Sequence, residues 1–196
     1  LKYKGLFTDT AVTVLVTNNQ LPTTNYQEAQ RLLEVTKKAL SVGIKAARAG
    51  ATVGDIGFAI EQFVHSHTNS SDSTAESFRI TRGKSQQTGK NGFCSEIGVG
   101  VKSAGNLGII RTLAGHGVGY AVHEEPHIPN FGKKGEGAAL KKGMVIAIEP
   151  MLTLGGEKLV LDPDGFSFRT ADGSLSAHFE HTVVVTKKGA DILTVV

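Results

Sequence analysis

Apolar positions recur every three to four residues in two stretches of the chain. Leu32, Leu33, Val35, Ala39, Leu40, Ile44 and Ala47 carry the 3.6-residue recurrence of one long amphipathic helix. Asn25 with Glu28 three residues on resembles a capping box at its start, and Gly50 suits its C-cap region. Ile56, Ala59, Ile60, Phe63 and Val64 form the buried stripe of a second helix, which starts near Thr52 with Asp55 at the capping-box offset. Before the helices, residues 1–17 read as two strand pieces around Gly5, and 7–16 is rich in β-branched residues. Residues 18–22 read as a loop. After residue 107 the chain reads as β-rich, with candidate strands at 107–113, 144–153, 158–161, 166–170, 177–187 and 190–196. Lys141-Lys142-Gly143 and Lys187-Lys188-Gly189 look like tight connections. The order of strands, helix, helix, strands predicts an α+β fold with helices on one face of a mainly antiparallel sheet.

Residues 68–106 follow neither period. Of these 39 residues, 22 are Ser, Thr, Gly, Asn or Gln, and 96–101 is the one candidate strand. This stretch reads as a flexible insertion within a single domain spanning 1–196, a disordered spacer in preference to a lid or partner-binding loop. Gly83-Lys84-Ser85 lacks the upstream glycine of a phosphate loop and is discounted.

Composition narrows the class. The 196 residues are 40% hydrophobic and 20% charged, which excludes bulk disorder and is enough to bury a core. No run reaches the ~18 apolar residues of a membrane span, and the first residues do not read as a signal peptide. The single cysteine, Cys94, makes no intramolecular disulfide and belongs to no CxxC zinc motif, so the chain is compatible with a reducing cytosol. A net charge of +3 without a dense basic run does not argue for nucleic-acid binding. The chain opens on Leu1 inside a strand-like segment and so reads as part of a longer protein.

Candidate chemistry then gathers at a few polar residues in apolar surroundings. Asp9 lies among Thr and Val, and a buried carboxylate there needs a pair or a metal; an edge position facing water is the alternative. Glu149 ends the apolar run Met144-Val145-Ile146-Ala147-Ile148, directed into a site or into solvent. Glu180 shares a strand face with His178, Thr182 and Val184, as a metal ligand or in a salt bridge to a neighbouring histidine. His116 is flanked by glycines in Gly115-His116-Gly117-Val118-Gly119, which expose the imidazole, and His123 follows in His123-Glu124-Glu125-Pro126-His127. His65 and His67 read as surface residues, and Cys94 as inert. Three carboxylates and an imidazole make an oxygen-rich site for manganese, iron(II), cobalt or zinc, and paired bridging carboxylates around an activated water point to hydrolysis.

The ordered series Gly115-His116-Gly117-Val118-Gly119, His123-Glu124-Glu125-Pro126, Ile148-Glu149-Pro150-Met151 and Ser174-Leu175-Ser176-Ala177-His178-Phe179-Glu180-His181-Thr182 closely resembles type I methionine aminopeptidases. The likeness covers 107–196 and also 1–67, with no counterpart for most of 68–106. It implies the pita-bread fold of the creatinase/aminopeptidase family, a curved sheet with helices on its outer face, here without its N-terminal portion. It implies Asp9, His116, Glu149 and Glu180 as metal ligands, Asp9 and Glu180 as the bridging carboxylates, and Glu149 also as proton acceptor for the attacking water. His123 corresponds to a substrate-contacting histidine, and Phe166 to an aromatic residue lining the methionine pocket.

The implied activity is removal of the N-terminal methionine from nascent proteins whose second residue is small. The cofactor is a pair of divalent ions (Co, Mn, Fe(II) or Zn) in the full-length protein. The implied setting is a cytoplasmic monomer working near the ribosome, without membrane or specific nucleic-acid binding. A further Asp ligand of the family falls upstream of Leu1, so this chain alone is expected to bind one ion much better than two and to turn over little or no peptide. A non-catalytic pita-bread binding protein and a proline-directed peptidase of the same fold are the competing readings.

Overall fold

The computed structural model describes residues 1–16, 23–68 and 106–194. The expected insertion apart from its end residues Thr68 and Asn106, its strand at 96–101 and Cys94 lie outside the described residues, as do the Asn25 side chain and the 18–22 loop.

Among the described residues the elements are β1 (Lys2–Tyr3), β2 (Leu6–Phe7), β3 (Thr10–Ala11), α1 (Thr23–Ala46), α2 (Val53–Thr68), β4 (Gly108–Ile109), β5 (Gly115–Gly117), β6 (Glu124–Ile128), β7 (Val145–Ile148), β8 (Met151–Thr153), β9 (Leu159–Leu161), β10 (Phe168–Thr170), β11 (Ser176–His178), β12 (Glu180–Val185) and β13 (Ala190–Ile192). Every strand pair is antiparallel. The main sheet runs β13-β12-β7-β5-β6, with β3 on β12 beside β13. A second sheet runs β11-β8-β4, and β9 and β10 form a hairpin.

The helices form where the apolar period places them. Leu32, Val35, Ala39, Leu40 and Ile44 of α1 are buried, as are Ile56, Ile60 and Val64 of α2. Thr52 and Asp55 cap α2 reciprocally. The Thr52 N–H donates to Asp55 Oδ2 at 2.8 Å, and the Asp55 N–H donates to Thr52 Oγ1 at 3.3 Å. The bond from the Thr52 N–H holds the Asp55 carboxyl below its ordinary pKa. Gly50, expected near the end of α1, sits instead in the turn between the helices, with a φ of 88°. The helices pack on each other; α1 lies against β7, β8, β11 and β12, and α2 against β6. Their stripes meet Ile146, Ile148, Val183 and Val185 of the sheet in one core. Each such fully buried side chain contributes about 1.5–3 kcal/mol. At Gly57 a side chain would collide with the main-chain oxygens of Phe131 and Pro129, so α2 rests directly on loop backbone. No helix among the described residues is long and apolar enough to cross a membrane.

The strands differ from the sequence pattern in an instructive way. Residues 144–153 form two strands, β7 in the main sheet and β8 in the second, broken at Glu149-Pro150. Residues 177–187 divide in the same way into β11 and β12 at Phe179. The two breaks face each other. His181 pairs with Ile148 on one side, and His178 pairs with Met151 on the other. Pro150 has no N–H to continue a ladder, which favours a break at that point. The expected strand 7–16 shortens to Thr10–Ala11, although 11–16 keeps the alternation of half-buried and exposed positions. Strands β5 and β6 have no counterpart in the sequence expectation.

Candidate metal centre

The opposed strand breaks place acidic side chains next to one another. Glu149 projects from the β7–β8 break and Glu180 from the first position of β12. His116 comes from the middle of β5, paired with Ala147 of β7. One ligand atom each of His116, Glu149 and Glu180 lies within 4.8 Å of the others. Asp9 enters from the link between β2 and β3. Its N–H donates to Thr182 Oγ1 at 2.9 Å, and the same hydroxyl donates back to the Asp9 main-chain oxygen at 2.7 Å. Asp9 groups with His116 and His123 within 4.8 Å, whereas the expected set put it with the two glutamates. His116 therefore belongs to both groups.

The electrostatics suit a cation. His116 Nδ1 donates to the Gly117 carbonyl at 2.9 Å, which leaves Nε2 as the lone-pair nitrogen, 3.5 Å from Glu149 Oε1. Glu180 Oε1 is buried with no hydrogen-bond partner. Burial, then the nearby Glu149 and Asp9 charges, push the Glu180 carboxyl up to about 8. An orphaned buried carboxylate oxygen beside a second carboxylate and an imidazole nitrogen fits a divalent transition ion and is costly without one.

His123 is exposed, and its ring stands edge-on to His116 with centroids 4.3 Å apart. Both rings line a cavity of about 360 Å³ with Glu149 and His178, and its apolar wall includes Leu113, Met151, Leu159, Phe168 and Ala177. Phe166 does not line it. This residue is 87% exposed at the tip of the β9–β10 hairpin, where its N–H and that of Ser167 donate to Asp164 Oδ1. The turn carries Phe166 outward, and Phe168, two residues on, takes the wall position. The glycines beside His116 also act differently from expectation. Side chains at Gly115 and Gly117 would strike the main-chain oxygens of Ala147 and Glu125, so the glycines let three strands close around a buried His116. Two contributors carried no assigned role. His178 places Nε2 3.1 Å from Glu149 Oε2, and Thr13 Oγ1 bonds both the N–H and the carbonyl of His178 at 2.9 Å. The strand alternation that put His178 beside Glu180 and Thr13 beside Asp9 was the available signal.

The profile of metallopeptidase family M24 matches residues 1–187. A methionine aminopeptidase of Aquifex aeolicus is 42% identical over 98% of this chain and 58% of its own length. The crystal structure of methionine aminopeptidase from Thermotoga maritima superposes with a TM-score of 0.72 at 35% identity, over 98% of this chain and 59% of that one. A prolidase from Pyrococcus furiosus shares the fold at 20% identity, with a TM-score of 0.56 over 99% of this chain and 39% of that one. The chain thus spans little more than half the length of the curated relatives it matches. Its antiparallel sheet with helices on the outer face is the pita-bread fold of these structures. With the His116, Glu149 and Glu180 donors clustered at the breaks of that sheet, the chain belongs to metallopeptidase family M24.

Proposed function

We propose that this chain carries the metal-binding half of an aminopeptidase that removes N-terminal methionine from nascent polypeptides with a small second residue. The observation that carries the reading is the His116, Glu149 and Glu180 cluster opening onto a largely apolar cavity beside His123. His116, Glu149 and Glu180 would hold a divalent ion (Co, Mn, Fe(II) or Zn), which would supply Lewis acidity for activating water and polarising a carbonyl.

The chain's own groups do the rest. Glu149, with one oxygen toward His116 and the other toward His178, takes a proton from the attacking water and returns it to the leaving amine. His123, exposed at the cavity wall, hydrogen-bonds the scissile carbonyl and steadies charge as it develops there. Leu113, Met151, Leu159, Phe168 and Ala177 take up an unbranched apolar side chain and exclude water around it.

The test is hydrolysis of Met-Ala-Ser and of an Xaa-Pro peptide by the metal-loaded chain. Slow methionine release, lost by about 10²–10⁴-fold in Glu149→Gln with folding retained, is the expected result. Release from the Xaa-Pro peptide alone makes this a proline-directed peptidase instead.

A further inference from the structure

We propose that His178 is a positioning residue that holds the Glu149 carboxylate in its cation-binding orientation. The proposal rests on the metallopeptidase reading above and adds a residue to that site.

Glu149 lies between two imidazoles, one at each oxygen. Oε1 is 3.5 Å from His116 Nε2, and Oε2 is 3.1 Å from His178 Nε2. The two rings differ in what they can offer. His116 spends its Nδ1 proton on the Gly117 carbonyl, so its Nε2 accepts and cannot restrain a carboxylate. His178 Nε2 is buried with no aligned hydrogen-bond partner, and Glu149 Oε2 is the acceptor within reach. With a proton on Nε2, His178 satisfies both atoms through a small adjustment of either side chain.

The approach of the ring is set by holding the His178 main chain on two sides. Ser176–His178 pairs with β8, His178 opposite Met151. Thr13 Oγ1 accepts from the His178 N–H and donates to its carbonyl, both at 2.9 Å. His178 is thereby tied to β8, which begins two residues after Glu149. With Oε2 restrained, Oε1 is left facing His116. Outer hydrogen bonds of this kind orient a metal ligand and reduce the freedom it loses on binding.

Titration of the full chain with Mn(II) by calorimetry tests the assignment, using His178→Phe, which keeps a ring without its nitrogens, and His178→Gln, which keeps a donor. The expected result is affinity at least about tenfold weaker in His178→Phe and within about threefold of the parent in His178→Gln. Parent-like affinity in His178→Phe overturns the proposal, and so does a His178→Gln loss as large as the phenylalanine one. If circular dichroism shows that His178→Phe does not fold, His178→Asn, with an amide too short to reach Oε2, replaces it under the same criteria. On Met-Ala-Ser at saturating Mn(II), a fall in kcat at constant KM supports positioning. A rise in KM at constant kcat makes His178 a substrate contact and overturns it. A parent chain that binds Mn(II) but releases no methionine bears on the aminopeptidase reading alone, because the metal comparison still decides the role of His178.

Discussion

Burial of Glu180 sets a proton in competition with a cation. With its carboxyl pushed up to about 8, the metal-free folded chain keeps this proton at neutral pH, while the unfolded chain releases it near the ordinary 4.5. The folded state thus binds more protons across that interval, and stability falls as pH rises from about 4.5 to about 8. His181 acts in the opposite sense below its ordinary 6.5, because burial and then Lys37 lower its pKa. A comparison of variants cancels that contribution. Metal-free Glu180→Gln should show a flatter loss of thermal stability between pH 5 and 8 than the parent, and equal slopes would refute the assignment. Loading a cation at pH 7 should also expel the Glu180 proton, visible as a dependence of the calorimetric heat on buffer ionisation enthalpy. A second expectation concerns stoichiometry. Asp9 with His123, and Glu149 with Glu180, both rely on His116, which has one lone-pair nitrogen left to give. One tight ion per chain is expected, and two equally tight sites in a titration would contradict this.

The helices owe their placement to short-range chemistry that can be perturbed singly. Thr52→Ala removes one side of the α2 cap and should cost about 1 kcal/mol in chemical denaturation. Gly57→Ala forces α2 off the Phe131 and Pro129 carbonyls and should cost about 1–3 kcal/mol, with little change at the metal centre. These features could be read from the chain because a cap and an apolar stripe are local: Thr52 with Asp55, and Ile56, Ile60 and Val64, sit within a few residues of one another. Glu149 and Glu180 stood out for a related reason, as acids embedded in apolar β-branched runs. The strands around them did not. Strand β5 is glycine and histidine and β6 holds two glutamates and a proline, so neither carries β propensity, and only the ladder from β7 to β5 and from β5 to β6 makes them a sheet. The breaks at Glu149-Pro150 and Phe179 sit inside stretches that read as single strands and become visible only when two sheets are resolved. The resemblance alone places Phe166 at the pocket wall, and the local Asp164 turn directs it outward.

Across the whole molecule, cation binding and folding share one free-energy account. The clustered carboxylates oppose compaction until a divalent ion neutralises them, so the ion should act as a ligand of the native state. Mn(II) at 100 times its dissociation constant should stabilise the chain by about 2.7 kcal/mol, raising its melting temperature in a way a chelator reverses and Glu149→Ala abolishes. The Asp9 segment adds a kinetic side to this. It is joined to β12 by a two-residue ladder and by the hydroxyls of Thr182 and Thr10, whereas β12 itself is laddered to β7 over four residues. Opening the segment breaks few bonds and leaves the core intact, so it belongs to a low-energy unfolding unit of its own. In deuterated solvent the Asp9 amide should exchange well ahead of the Val183 amide. Asp9 would thus reach a bound ion through a door that opens and shuts on its own clock, while His116, Glu149 and Glu180 wait in the frame.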